Sequence, residues 1–235
     1  MSSSVQRKRI RKSPEARRAE IVDTAAAVAL SEGLECLTLR RIADELDVRP
    51  GLISHYFPSV EDLVAEAFGT AAGAELEVLL PLGADGPAAD GPAGDGPAGD
   101  EQAGDEQAGD GPAAGARLTR FFARTSGEAY DAVSRLWINA RHLSRYRPVL
   151  RDRVAEQEGA WRGRLEGVIR EGVERGEFRT EDPYVTAVQI LVVLDGLGAH
   201  ANTEVRGRPE AVTRMAVTTA ERELGLPRGA LTGDA

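Results

Sequence analysis

Apolar residues along this chain recur at intervals of three and four, and nowhere do they alternate singly as a half-buried strand requires. Ile21, Ala25, Val28 and Ala29 form the inner stripe of a first helix. It starts at Ser13-Pro14-Glu15, with serine as cap, proline at the first helical position and an acid in the first turn. It runs to about Glu32, where Gly33 stops it in a left-handed cap. The stretch Thr38–Phe57, TLRRIADELDVRPGLISHYF, then reads as helix, tight turn and second short helix. Ile42, Ala43 and Leu46 share one face, Thr38 offers its oxygen to the first turn, and Pro50 stands where a new helix begins. The second helix presents Ile53 and Phe57 inward and leaves Arg49, Gly51, Leu52, Ser54, His55 and Tyr56 largely free. A short polar-faced helix held across another has the geometry that enters a DNA major groove.

Pro58 closes that unit, and Ser59 caps a fourth helix carrying Leu63, Ala67, Ala71, Ala74 and Val78 as far as Leu80. Residues 85–114 are six tandem pentapeptides, DGPAA, DGPAG, DGPAG, DEQAG, DEQAG and DGPAA. Their composition buries too little apolar surface to offset chain entropy, so disorder is expected. The favoured reading is a tolerated surface insertion; the sharper one is an acidic tether competing with DNA for the basic arm. Helical spacing resumes at Ala116 with Leu118, Phe121 and Phe122, breaks at Gly127, and continues through Ala132, Leu136, Asn139, Ala140 and Leu143. A long helix follows over about Val149–Arg175, closed by Gly176. Asp182-Pro183 caps the next, whose run AVQILVVLDGLGAHA is apolar nearly all round and is expected to be buried on most faces. A last helix, Pro209–Leu224, is amphipathic through Val212, Met215, Ala216 and Leu224. The expected fold is all-α. Its parts are a basic arm (1–12), a three-helix helix-turn-helix domain (13–58), a connecting helix (59–82), the acidic insert (83–115), a helical C-terminal bundle (116–226) and a tail (227–235).

Charge and cysteine content refine this picture. The net charge of −9 looks wrong for a nucleic-acid partner, but eight acids and no Lys or Arg fall within 85–110. With the insert set aside the remainder is close to neutral, while Arg7, Lys8, Arg9, Arg11, Lys12, Arg17 and Arg18 gather just before the first helix. A local basic arm, not total charge, attracts phosphates. The lone Cys36, among Leu34, Leu37 and Leu39, reads as a buried structural thiol in a reducing compartment. No apolar run is read as long enough to span a bilayer and no secretory signal is present, so the expected location is the cytoplasm.

Over Ile21–Leu63 the chain resembles the N-terminal domain of the tetracycline-repressor (TetR/AcrR) family of regulators. The resemblance rests on Ile21-Val22-Asp23, Gly33, Thr38-Leu39-Arg40-Arg41-Ile42-Ala43, Ile53-Ser54-His55-Tyr56-Phe57 and Glu61-Asp62-Leu63. Gly51–Phe57 is most similar to the choline-responsive (BetI-like) branch. Gly172, Gly176-Glu177-Phe178, Asp182-Pro183 and Asp195-Gly196-Leu197 resemble the C-terminal half of many members. The chain departs from the family where Asp47 replaces the usual turn glycine, Arg49 the usual Ser or Thr cap, and Val60 a phosphate-contacting lysine. The resemblance implies a homodimer, a pseudo-palindromic double-stranded operator and a small-molecule pocket in the C-terminal bundle. The dimer face would come from 182–202 and 209–224, packed as a four-helix bundle across the two-fold axis.

Candidate DNA contacts divide by role. Thr38 and Tyr56 are placed against phosphates, and Arg40, Arg41 and the arm add charge. Arg49, Gly51, Leu52, Ser54 and His55 are placed against base edges, with Gly51 letting the backbone approach. The competing reading packs His55 and Tyr56 against the fourth helix. For the effector, Tyr130, Trp137, His142, Tyr146 and Trp161 are candidate walls, an aromatic cage for a quaternary ammonium being one version, and Asn139 and Asp195 candidate anchors. The opposing reading makes these aromatics core and lets Asn139 and Asp195 bridge helices. His55, His142 and His200 lack neighbours at metal-ligand spacing, and no nucleophile elbow or phosphate-binding glycine loop is present. No enzyme, metal or cofactor is expected. The expected function is a DNA-binding transcriptional regulator, a homodimeric repressor released by a small molecule. The rival is a helical ligand-binding or enzymatic protein with a degenerate DNA reader.

Overall fold

The computed structural model describes residues 12–82, 113–125, 128–203 and 209–232, and every regular element among the described residues is helical. Residues 1–11, the acidic pentapeptides up to 112 and the expected break at Gly127 lie outside them. The chain forms two compact units, one from Met1–Ala72 with Arg135–Gln157, the other from Gly73–Ser134 with Glu158–Ala235.

In the first unit, α1 (Pro14–Glu32) is capped by Ser13, whose Oγ accepts the Ala16 N–H at 3.2 Å. Its buried face is Ile21, Val22, Ala25, Ala26, Val28 and Ala29. Gly33 ends it at φ 98° and ψ 159°, an extended conformation with positive φ and not the left-handed cap the sequence implied. A single 3-10 turn, Leu34–Cys36, leads to α2 (Leu39–Glu45), and Thr38 Oγ1 accepts the Arg41 N–H at 3.0 Å. The turn to α3 (Pro50–Tyr56) needs a left-handed residue, and Asp47 supplies it at φ 51°. Aspartate tolerates that region better than most side chains, so the turn survives without glycine.

Residues of α4 (Val60–Leu79), α6 (Glu128–Ser144) and α7 (Pro148–Glu174) complete this unit's core. Leu63, Val64, Ala67 and Phe68 pack with Leu136, Ala140, Leu150 and Val154 around Ile42, Ile53 and Phe57. Each fully buried Leu, Ile or Phe contributes roughly 1.5–3 kcal/mol. The compact body around the helix-turn-helix therefore includes residues 135–157 as well as the N-terminal helices.

The second unit holds α5 (Ala114–Arg124), α8 (Pro183–Ala201), a short α9 (Glu210–Thr213) and α10 (Met215–Glu223). Ala113 cannot cap α5, and the Glu177 carboxylate does so instead, accepting the Ala114 and Gly115 N–H groups at 3.2 and 2.9 Å. Gly172 is required because a Cβ there would lie 2.2 Å from the Phe178 ring. Asp182 Oδ1 caps α8 through the Tyr184 and Val185 N–H groups at 2.9 and 3.1 Å.

Several sequence expectations are corrected. Ala74 and Val78 face outward on α4, whose buried row runs instead through Leu76, Leu79 and Leu80. The last helix is broken at Arg214, and Met215 is half exposed. The Cys36 thiol is exposed, its Sγ 3.2 Å from the Glu32 carbonyl, because a 3-10 turn points only Leu34 inward. The tail is tied down as far as it is described: buried Glu221 accepts the Gly229 and Leu231 N–H groups, and Leu231 is buried. Helix α8 buries one stripe, Thr186, Ala187, Ile190, Leu194 and Gly198, while Val185 and Val192 stay 45% and 62% exposed. By length and composition α8 is also apolar enough to cross a membrane, contrary to the expectation that no such run exists. A single helix of this kind is weak evidence for a span, since helices of soluble proteins also meet that length.

Candidate nucleic-acid interface

Helix α3 is split sharply between an inner and an outer face. Ile53 is fully buried and Phe57 nearly so, which pins the helix across α2. Arg49, Pro50, Gly51, Ser54 and His55 are exposed, and Leu52 and Tyr56 are half-buried. Arg49 makes no side-chain cap for α3 and, among the described residues, no ion pair or side-chain hydrogen bond. A Cβ added at Gly51 would meet nothing within 4 Å. Ser54 Oγ turns back onto the Pro50 and Gly51 carbonyls, both at 3.3 Å, so contact with a base edge requires it to rotate away. The His55 and Tyr56 rings stand edge to face at 5.2 Å.

The cations around this face are not equivalent. Arg40 is 85% exposed and only 3.9 Å from Asp44, leaving its guanidinium available. Arg41 is bound within the protein. Its Nε and Nη2 grip Glu32 at 3.2 and 2.6 Å, and its Nη1 reaches Glu45 at 2.7 Å. Those hydrogen bonds, foremost the pair to Glu32, push the guanidinium even further above its ordinary range, and the Arg41 hydrogen bond holds the Glu32 carboxyl below its own. Arg41 thus ties the second helix to the end of the first. Of the first-turn amides, Arg41 N–H is taken by Thr38 and Leu52 N–H by the Arg49 carbonyl. The Thr38 hydroxyl proton has no acceptor among the described residues.

The seven effector candidates divide between the two units. Trp137, Asn139, His142 and Tyr146 belong to the unit of the helix-turn-helix, and Tyr130, Trp161 and Asp195 to the other. Trp137 stacks edge-on against Phe68 at 5.0 Å beneath the Arg141 guanidinium. Asn139 is a clasp: Oδ1 accepts the Leu34 N–H at 2.8 Å and Nδ2 donates to Glu35. His142 is exposed and Tyr146 is 75% exposed, so neither walls a cavity within its unit. Trp161 is buried and its Nε1–H has no hydrogen-bond partner among the described residues, an uncommon state for a buried donor. Asp195 is exposed on α8.

Comparison with known proteins adds the decisive observation. Residues 21–67 match the profile described as bacterial regulatory proteins, tetR family, and residues 116–225 match that of the BetI-type transcriptional repressor, C-terminal. Both halves point to one family. The chain belongs to the TetR family of transcriptional regulators. Among solved structures it resembles a TetR-family regulator from Rhodococcus sp. (TM-score 0.66, 20% identity, covering 88% of this chain and 98% of that one). It likewise resembles a transcriptional regulator from Saccharomonospora viridis in complex with choline (0.64, 21%, 89% and 98%) and a TetR regulator from Haloarcula marismortui (0.64, 18%, 90% and 97%). At such identities these structures support the fold alone. No curated protein matches the sequence.

The described residues thus carry the fold of a TetR regulator, and both profiles describe a regulator, not an enzyme. Sequence reasoning missed the Glu177 cap, and it carried the Asn139 clasp only as the alternative to a ligand anchor. Each joins residues far apart in the chain, and a side chain's amide or carboxylate carries no spacing signal for a distant backbone partner.

Proposed function

We propose that this TetR regulator is a homodimeric repressor that holds a two-fold-symmetric operator through α3 of each protomer and is released by a small molecule bound to its C-terminal helices. The observation that carries the DNA half is the division of α3, buried Ile53 and Phe57 behind an outer face of Arg49, Gly51, Leu52, Ser54 and His55. Arg49 hydrogen-bonds a guanine edge, Leu52 meets a thymine methyl, and Gly51 marks the closest approach of the backbone. Thr38, Tyr56 and Arg40 hold phosphates. Arg41 contributes mainly by fixing α2.

The exposed apolar side chains of α8 and α10, Val185, Val192, Tyr184 and Met215, favour a second copy as their cover. In such a dimer the two recognition helices must stand about 34–36 Å apart to enter successive major grooves. An effector changes that spacing through α4, and only by its differential affinity for the two states; a hundredfold difference supplies about 2.7 kcal/mol.

For the effector, a choline-like quaternary ammonium is the class favoured by the BetI-type profile and by the choline complex of one similar structure. Tyr130, Trp161 and Asp195 are the site candidates in the C-terminal unit, and Trp161 Nε1–H would donate to an acceptor on the ligand. The test is a gel shift with the DNA upstream of the protein's own gene, with and without choline. A folded dimer that shifts no fragment at low salt overturns the regulator reading. A shift that choline leaves unchanged overturns only the effector class. Arg49→Ala is expected to relax base preference; uniform weakening with a shallower salt slope would make Arg49 a phosphate contact instead.

A further inference from the structure

The positive charge of the DNA-binding unit is distributed unexpectedly. From Lys12 to Ala72 the chain carries six Lys and Arg against eleven Asp and Glu. From Arg135 to Gln157 it carries six arginines against two carboxylates, and residues 132–151 contain no acid at all. The basic part of the folded unit is therefore the α6–α7 segment, not the helix-turn-helix itself. At its centre is the turn His142-Leu143-Ser144-Arg145-Tyr146-Arg147, leading into α7.

Its geometry ties this turn to the start of α4, just after the recognition helix. Arg147 Nε lies 3.7 Å from Glu61 Oε2 in the first turn of α4. An open groove of about 400 Å³ is lined by Tyr56 and Pro58 at the end of α3 and by Val149 and Asp152 at the start of α7. Arg145 is exposed, with no ion pair or side-chain hydrogen bond among the described residues. Arg151 is 64% exposed, its Nε 3.9 Å from Asp152. Tyr146 is 75% exposed, and its ring stands edge-on to His142 at 6.1 Å. Arg153, by contrast, lies across Gly69 and pairs with Glu156 at 2.8 Å, so it is held within the unit. Exposed arginines flanking an exposed aromatic are the composition that tracks a phosphate backbone.

We infer that the α6–α7 turn is a second DNA-binding surface, which engages phosphates flanking the bases read by α3. The inference rests on α3 binding DNA. Arg145 and Arg151 contact phosphates, with the Tyr146 hydroxyl able to join them. Arg147 is a positioning residue that holds the turn against the start of α4, where Val60 offers no charge of its own. Such contacts fix register and add affinity without reading sequence. DNA fits better than an acidic protein or a lipid surface because the turn belongs to the same compact unit as α3 and leads into the start of α7, which borders one groove with the end of α3.

The experiment measures binding of the full-length protein to a random-sequence 40-base-pair duplex by fluorescence anisotropy across a salt series. Each phosphate contact contributes a slope of about 0.9 in log affinity against log salt, so Arg145→Ala with Arg151→Ala is expected to flatten the slope by about 1.8. At 0.1 M salt that is a weakening of roughly tenfold per arginine. Arg145→Lys with Arg151→Lys keeps the slope, and Arg228→Ala, an exposed charge in the other unit, leaves it unchanged. A wild-type slope in the double alanine variant overturns the inference, as does equal loss in the lysine variant. Should the double variant melt early, Arg145→Ala alone decides by a fall of about 0.9 or none. A wild-type protein that binds no duplex overturns the regulator reading itself, an outcome distinct from an unchanged slope.

Discussion

Replacing Gly51 by alanine is expected to move stability and DNA affinity in opposite directions. Gly51 is the second residue of α3, with no positive φ and no heavy atom within 4 Å of an added Cβ. The methyl therefore strains nothing in the free protein. Glycine is less favourable than alanine inside a helix by about 0.5–1 kcal/mol, so Gly51→Ala stabilises by up to that amount. For a domain of this size the melting temperature rises by about 1–4 °C. On the proposed DNA face the same methyl would stand where the backbone approaches DNA, and a base pair pushed out of contact costs about 1–3 kcal/mol. Affinity then falls by roughly 5- to 150-fold. Calorimetry of the free protein and anisotropy with an operator fragment measure the two effects. A variant that melts higher yet binds its operator as tightly as the wild type would refute Gly51 as the point of closest approach. A variant that melts lower would refute the open space around it.

Three further outcomes follow from particular contacts. Asn139→Ala leaves the half-buried Leu34 N–H without its acceptor and removes the donor to Glu35; chemical denaturation is expected to show a loss of about 1–3 kcal/mol, and an unchanged midpoint would dismiss the clasp. Val192→Glu, at an exposed position of α8, is expected to leave the helical content intact and convert dimer to monomer in analytical ultracentrifugation; a dimer of wild-type affinity would exclude that face. The Glu32 carboxyl is lowered from its ordinary 4.5, chiefly by the Arg41 hydrogen bond. A lowered folded-state value stabilises above the ordinary value and is lost as pH falls through the folded one. The melting-temperature gap between wild type and Glu32→Gln should therefore narrow from pH 7 to pH 3, and a constant gap would refute the linkage.

The sequence by itself determined what depends on neighbours three or four positions apart. Ser13, Thr38 and Asp182 cap their helices as their spacing implied, and Ile42, Ala43, Ile53 and Phe57 are buried as their periodicity required. The positive φ of Asp47 was legible only through the resemblance, which puts glycine at that position. The tertiary structure decided everything set by partners distant in the chain. Arg40 and Arg41 are adjacent and chemically alike, yet only Arg41 meets Glu32 and is held within the protein. His142 and Tyr146 read as candidate walls of an effector pocket and Asn139 as a candidate anchor, and folding places all three in the unit of the helix-turn-helix. Cys36 sits among leucines in sequence but outside the core in space, since burial depends on where a turn points and not on which residues adjoin it. Helical periodicity shows which face of a helix is apolar. It does not show which neighbour covers that face, and so α8 keeps one stripe for its own chain and leaves another exposed.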